Sequence, residues 1–479
     1  MAKIYLEAGR VVEDVMSGQS GLKAALYANP LSADPRAVCK LASCTLSNKA
    51  ALAEALEQVG LLEQHSRGVM LVMAFELLLG HGLRGGGRLR RQLEEQRSAL
   101  QAAFQKSTCL EVGSEAKEAF ASLPRYVRIN RLQVTQKRDV DALKERLKKA
   151  LFAAYQADLD AGRAVSPEMA SVEDDALVPE LLVLHPFSRS WLQKVPEAGT
   201  GALVLQDRSS CLSALAAKLV PGDFVVDTCA APGSKTAHAI ELLGNGRLAA
   251  FERDSKRAAA LLKRLNLLVG FKAQRKKKKM NESQLKLGSR IQGRCLAGSG
   301  TSDAGVEVDL RVDDFLETNP LLRPWSDVDV LIVDPSCSGS GLPEHHLVDA
   351  MAESGKSARV KRLAAFQKRI LSHALRFPRA RTVVYSTCST LRLENEDVVE
   401  EVLRNHPSFQ VVEALSWWRN APAQASSDKP FPSWAKYCLR SDPVTHRCRG
   451  FFLCRLDRCK PGPDMRAAAE PNSRKRKRP

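Results

Sequence analysis

A doubly wound, mostly parallel α/β sheet is the fold that the sequence predicts for its C-terminal half, and three observations predict it. Short apolar runs recur: Phe224-Val225-Val226, Leu248–Phe251, Val328–Val333 and Thr382–Ser386. Stretches of helical periodicity separate them, beginning near Ser234 and Lys256 and running over Arg362–Ala374. The first run ends in a tight turn of small residues, Asp227–Thr236, that leads straight into a helix. Strands and helices that alternate in this way form a Rossmann-like sheet with helices on both faces.

The elements before and after this region follow in order. Residues 1–121 read as a helical N-terminal domain, with Ala and Leu at helical spacing through Ala50–Leu62 and Val69–Leu79. Gly80–Arg88 breaks that pattern as a cationic loop, open to a phosphate-binding or a plain connecting role, and a charged helix follows over Arg90–Gln105. Residues 122–195 read as a small α+β module, with strands over Tyr126–Leu132 and Leu181–Leu184 and a helix over Asp139–Tyr155. The sheet domain takes 196–460 and is interrupted at 272–304 by a disordered basic insertion containing Arg275–Lys279 and Gly298–Ser302. Residues 461–479 form a disordered basic tail. Its Arg474–Arg478 cluster fits a nuclear or nucleolar address.

Composition narrows the function. The 479 residues suffice for two to four domains. The 72 Lys and Arg exceed the 54 Asp and Glu by 18, a balance that favours a polyanionic partner, because neutralised phosphates release counterions. Met1–Val11 lacks the cationic and apolar segments of a signal peptide, and the longest apolar stretch, Val69–Leu79, is too short to span a bilayer. The twelve cysteines lack a secreted disulfide framework, which points to free thiols in a reducing compartment, some of them chemically active. Cys438, Cys448, Cys454 and Cys459 lack the paired spacing of a zinc knuckle, so no metal is expected. Nothing in the sequence demands an oligomer.

The Asp227–Thr236 turn is the candidate cofactor site. In open α/β sheets ligands bind at the carboxyl ends of strands, near the point where strand order reverses. Ala230, Ala231 and Gly233 allow close backbone approach, and the following helix N-terminus faces a carboxylate. The three-glycine dinucleotide fingerprint is missing. Glu252 ends the next strand, where an acid can accept both hydroxyls of a ribose, and Asp334 ends a further one. Three carboxylates at three strand ends suit a ligand with a sulfonium, an amine and a ribose.

Two cysteines end two successive strands, Cys337 within Asp334–Gly339 and Cys388 within Tyr385–Ser389. Strand ends on one edge bring both thiols over a crevice able to hold a flipped-out base. Carbon 5 of cytosine is too weak a nucleophile to take a methyl group unaided. A thiolate adding at carbon 6 makes it a carbanion equivalent, and cysteine suits that task. Asp334, when protonated, is placed to donate to N3, and the second thiol to assist release. Cys229, inside the turn, reads as a packing residue.

These motifs resemble the Nop/Sun family of RNA cytosine-5 methyltransferases. The resemblance rests on Pro124–Asn130, Leu205–Ser210, Asp227–Thr236, Asp334–Gly339, Tyr385–Ser389, Glu394-Asn395-Glu396 and Gly450-Phe451-Phe452, and covers about residues 120–456. It implies that Cys388 is the nucleophile and Cys337 the release cysteine, with Asp334 beside them. It implies that Cys229, Ala230, Ala231, Pro232, Gly233, Ser234, Lys235, Glu252, Arg257, Asp314 and Asp334 hold S-adenosylmethionine, with Glu252 on the ribose. Glu252 departs from the usual Asp, and the insertion leaves Asp313 and Asp314 as alternatives. The Gly80–Arg88 loop resembles the eukaryotic branch that modifies large-subunit ribosomal RNA. A nucleolar role in ribosome biogenesis is then expected, with RNA as partner and no membrane. The rival readings are an assembly factor that keeps the fold without catalysis, a transfer RNA enzyme, and a DNA cytosine methyltransferase. The last of these uses the cysteine of its Pro-Cys strand end as nucleophile and has no partner thiol.

Overall fold

The computed structural model describes residues 3–17, 22–28, 30–80, 82–85, 87–108, 122–273, 285–296, 305–342, 358–418 and 430–459. The basic run Arg275–Lys279, the segment Gly298–Ser302 and the Arg474–Arg478 tail lie outside these residues.

Among the described residues seven α-helices open the chain: α1 (Lys3–Met16), α2 (Leu22–Tyr27), α3 (Pro35–Ser47), α4 (Lys49–Gln58), α5 (Arg67–Leu78), α6 (Arg88–Glu95) and α7 (Arg97–Thr108). They enclose a core of their own, in which α5 is buried continuously from Val69 to Ala74. The single charged helix expected over Arg90–Gln105 is instead two, because the chain turns at Gln96 between α6 and α7. The glycine-rich loop is tied to the bundle: Arg84 N donates to Tyr5 OH at 2.8 Å, and Arg90 donates to Gly85 O at 2.6 Å.

The small module is a four-stranded antiparallel sheet in the order β2 (Val172–Asp174), β3 (Leu181–Leu184), β1 (Arg125–Ile129), β4 (Leu203–Leu205). Helix α8 (Lys137–Asp160) packs Leu143, Leu147 and Leu151 against Val127 and Ile129 of β1. The expected boundary at residue 195 falls too early, since β4 completes this sheet. Arg128 and Asn130 turn the other way, towards the large sheet. Arg128 is buried, paired with Glu241 and donating to Gln206 at 3.0 Å, while Asn130 donates to Leu268 O at 2.5 Å. The Arg-Ile-Asn segment therefore fastens the module to the large domain.

The large sheet has the order β12 (Phe409–Val412), β14 (Phe451–Arg458), β11 (Thr382–Thr387), β10 (Val330–Val333), β5 (Phe224–Asp227), β6 (Gly246–Phe251), β9 (Gly305–Arg311), β8 (Arg290–Leu296), β7 (Lys272–Ala273), with β13 (Leu439–Ser441) paired to β14. The five central strands are parallel and the flanking ones antiparallel. Successive side chains enter opposite cores: Val330 and Ile332 face one, Leu331 and Val333 the other, as both faces are covered. Helices α9 (Arg208–Ala216), α10 (Ser234–Leu243), α11 (Ser255–Val269), α12 (Ala358–Ala374) and α13 (Glu396–Arg404) supply those layers. The insertion expected over 272–304 is not wholly outside the sheet. Lys272–Ala273 and Arg290–Leu296 extend it as an antiparallel edge, with Ile291 and Cys295 buried and the polar residues between them more exposed.

The chain lays β5, β6 and β9 outward in one direction and returns to β10 and β11 on the other side of β5. The order reverses between β5 and β10. The small-residue turn follows β5 and the first cysteine follows β10, so both sit at the switch point.

Candidate active site

The turn after β5 is organised by Asp227. Its carboxylate accepts from Thr236 Oγ1 at 2.7 Å, which holds the start of α10 against the strand end. Burial pushes the Asp227 carboxyl up to about 6, and the nearby Asp334 adds to the shift. Gly233 adopts φ +105°, a backbone conformation that strains any other residue, and a Cβ there would also press on Leu261 Cδ1 at 2.8 Å. Burial also raises the Cys229 thiol far above its usual range, as expected of an inert packing residue.

Glu252 follows β6 with its carboxylate nearly enclosed. One oxygen accepts from Asp254 N at 2.9 Å and the other faces Arg257 at 3.2 Å. Burial raises its pKa. Arg257 also donates to Ala231 O at 3.1 Å, so it braces Glu252 and the turn together. Asp314 follows β9, caps the turn at Leu316 N (3.0 Å) and meets Arg253 at 3.4 Å; Asp313 lies 3.9 Å from Arg311. The donor set fits S-adenosylmethionine: a buried acid for the ribose, acids at neighbouring strand ends for its cationic groups, and amides at the start of α10 for its carboxylate.

The two cysteines meet. Cys337 Sγ and Cys388 Sγ are 3.0 Å apart, each on the loop that leaves its strand. An ion pair stands beside them. Lys235, from the first turn of α10, donates to Asp334 at 2.8 Å, and Ser386 Oγ donates to the other Asp334 oxygen at 2.8 Å. Donation from Cys337 lowers the pKa of Cys388, and the positive charge of Lys235 lowers it further against the opposing effect of burial. The same contact, together with burial, raises Cys337 well above the ordinary thiol range. Burial depresses Lys235, but Asp334 outweighs it and its pKa stands above the usual lysine value. Their surroundings thus bias the pair, with Cys388 shifted towards thiolate and Cys337 towards thiol.

Residues that the sequence reading gave no role hold these loops. Glu394 is fully buried and accepts from Ser338 N at 2.9 Å, Ser338 Oγ at 2.5 Å and Gln367 Nε2 at 2.9 Å. Gln367 also donates to Ser336 O at 3.1 Å. Asn395 accepts from Thr387 Oγ1 at 2.6 Å and donates to Ser389 O at 2.9 Å, so Glu394 steadies one cysteine loop and Asn395 the other. Gly341 N donates to Cys388 O at 3.0 Å, and a Cβ on Gly341 would lie 2.2 Å from Gly450 O. The Gly450-Phe451-Phe452 segment therefore backs directly onto the site. An acidic motif just after a cysteine strand was the one signal in the sequence for Glu394.

Cys438 and Cys454 are buried together behind the sheet, and no group able to hold a metal occurs among the described residues. No helix among them is long and apolar enough to cross a membrane.

Comparison with known proteins agrees with this geometry. The family described as 16S rRNA methyltransferase RsmB/F matches residues 214–307 and 306–457. The chain is 32% identical over 471 residues to a 28S rRNA (cytosine-C(5))-methyltransferase of Mus musculus, covering 95% of this chain and 91% of that one. It is 28% identical over 475 residues to the 25S rRNA (cytosine-C(5))-methyltransferase rcm1 of Schizosaccharomyces pombe, covering 94% and 90%. Among solved structures it resembles that of PH0851, with a TM-score of 0.55 at 16% identity, covering 94% of this chain and 98% of that one, a likeness of fold.

Proposed function

The chain belongs to the RsmB/F family of rRNA methyltransferases, and from that premise we propose that it methylates carbon 5 of a cytosine in large-subunit ribosomal RNA. The observation that carries the chemistry is the thiol pair at the switch point, 3.0 Å apart, with Cys388 biased towards thiolate. The substrate class rests on the relatives that match along nearly the whole chain, N-terminal helices included.

S-adenosylmethionine, when bound, supplies the electrophilic methyl group. The backbone of 229–235 and the carboxylate of Glu252 hold it, with Arg257 positioning Glu252 and with Asp314 and Asp334 beside the pocket. Cys388 adds as thiolate to carbon 6, forming the S–C6 bond and shifting the ring electrons so that N3 takes a proton. That proton passes through Asp334, to which Lys235 already donates. Carbon 5 takes the methyl group and then gives its proton to a base in the crevice. The ring double bond re-forms, N3 returns its proton, and Cys388 leaves as thiolate towards the S–H of Cys337.

The test separates the two thiols. With a large-subunit rRNA substrate, Cys388→Ala is expected to abolish methyl transfer, and Cys337→Ala to trap a covalent protein–RNA adduct that survives denaturant. An adduct with Cys388→Ala instead would reverse the two roles. Methylation by Cys388→Ala at the wild-type rate would sink the mechanism, and a wild type that transfers no methyl group would favour an assembly factor. In cells, loss of a single large-subunit rRNA site is expected, whereas loss at transfer RNA sites would overturn the substrate. The basic tail and the substrate fit a nucleolar enzyme that works as a monomer on pre-ribosomal RNA.

A further inference from the structure

Residues 358–381 carry eight arginines and lysines and neither aspartate nor glutamate. Most of them lie on α12, whose buried side reaches the catalytic loop through Gln367, the donor to Ser336 O at 3.1 Å. The opposite side of the helix is exposed at Lys361, Arg362 and Arg369, and the chain just beyond its end at Arg376. Arg362, Arg369 and Arg376 recur every seventh residue, about 10 Å apart along one face and too far apart to share one phosphate. Lys368 pairs with Glu401, but among the described residues no ion pair or hydrogen bond engages the side chains of Arg362, Arg369 or Arg376. Beside this face lies a cleft of about 430 Å³ whose lining includes Lys368, Arg369, Ser372, Arg376 and Asn405, with Glu401 the one acid, paired to Lys368.

We propose that this stripe binds the sugar–phosphate backbone of the substrate RNA as it leaves the catalytic crevice. Gln367, the contact with the cysteine loop, lies between Arg362 and Arg369 along α12, so a strand with its cytosine in the crevice has a cationic track to follow beside that loop. Its exposed residues are charged or small, with no exposed aromatic or large apolar side chain to anchor a folded protein. Phosphate contacts of this kind fix register and carry no base preference. The inference rests on the RNA reading above and adds where the strand runs.

The experiment uses the full-length protein, a large-subunit rRNA fragment and the triple variant Arg362→Gln, Arg369→Gln, Arg376→Gln. Kd and KM are expected to rise roughly 10- to 50-fold near 0.15 M salt, and the slope of log K against log salt to fall by about 2. Melting temperature, affinity for S-adenosylhomocysteine and kcat are expected to stay unchanged. The matching Arg→Lys triple variant keeps the charges and is expected to keep the slope. An unchanged Kd and slope in the Gln variant overturns the stripe. So does loss of an acidic protein partner with RNA binding intact. If the wild type methylates a different RNA, the rRNA reading fails alone, and the same titration on that RNA decides the stripe. Should the wild type bind no RNA, both fall.

Discussion

Cys388 and Cys337 are chemically identical side chains, and what separates them is the company of Lys235 and their contact with one another. Alkylation of Cys388 by iodoacetamide is expected to rise with pH along a limb lying below that of an ordinary thiol, because Cys337 donates to it and Lys235 is cationic. Lys235→Gln and Cys337→Ala should each move that limb to higher pH; a limb that stays put in both would remove the electrostatic account. Glu252→Gln is expected to weaken S-adenosylhomocysteine roughly 10- to 100-fold by calorimetry, the worth of charged hydrogen bonds to a ribose. Asp227 tests the price of burial. Its carboxyl is raised to about 6, so the folded state holds the proton more tightly than the unfolded one. The sign then follows: Asp227 costs nothing below pH 4 and destabilises as pH rises through about 6, by roughly 3 kcal/mol above both values. Asp227→Asn, which keeps an acceptor for Thr236, should flatten that fall when urea unfolding is compared at pH 4.5 and 7.5. The acids and thiols at strand ends were legible in the sequence because a strand end is a local feature. Glu394 was not, since its partners Ser338 and Gln367 lie far from it along the chain and only packing brings them together.

Among the elements, the central parallel strands were readable as near-continuous apolar runs, buried on both faces. The edge hairpin was not, because Arg290–Leu296 alternates polar and apolar residues beside segments of low complexity, and half its side chains face water. Leu203–Leu205 is too short to announce which sheet it joins. The joint between the small module and α10 depends on a buried ion pair, Arg128 with Glu241, and Glu241 also accepts from Arg131 N at 3.0 Å. Glu241→Ala leaves Arg128 buried and uncompensated and is expected to cost about 3–5 kcal/mol in chemical denaturation. A loss under 1 kcal/mol would mean that water reaches Arg128.

Across the whole molecule, a helical bundle with its own core, a small sheet and a large one present a net charge of +18, but composition alone could not say where that charge gathers. Folding places part of it on α12, beside the chemistry. Topology has one more consequence, for the time at which the protein becomes competent during its synthesis. Strand β11 ends at Thr387, next to Cys388, and is flanked on one side by β10 and on the other by β14, which pairs with it from Thr382↔Asp457 to Thr387↔Phe452. A ribosome reaches residues 451–458 more than sixty residues after Cys388. Until they emerge, one edge of β11 has no neighbour and the Gly450–Gly341 contact is missing. The nascent chain can therefore complete its cofactor turn early, while the thiol pair is clamped only once residues 451–458 have joined the sheet.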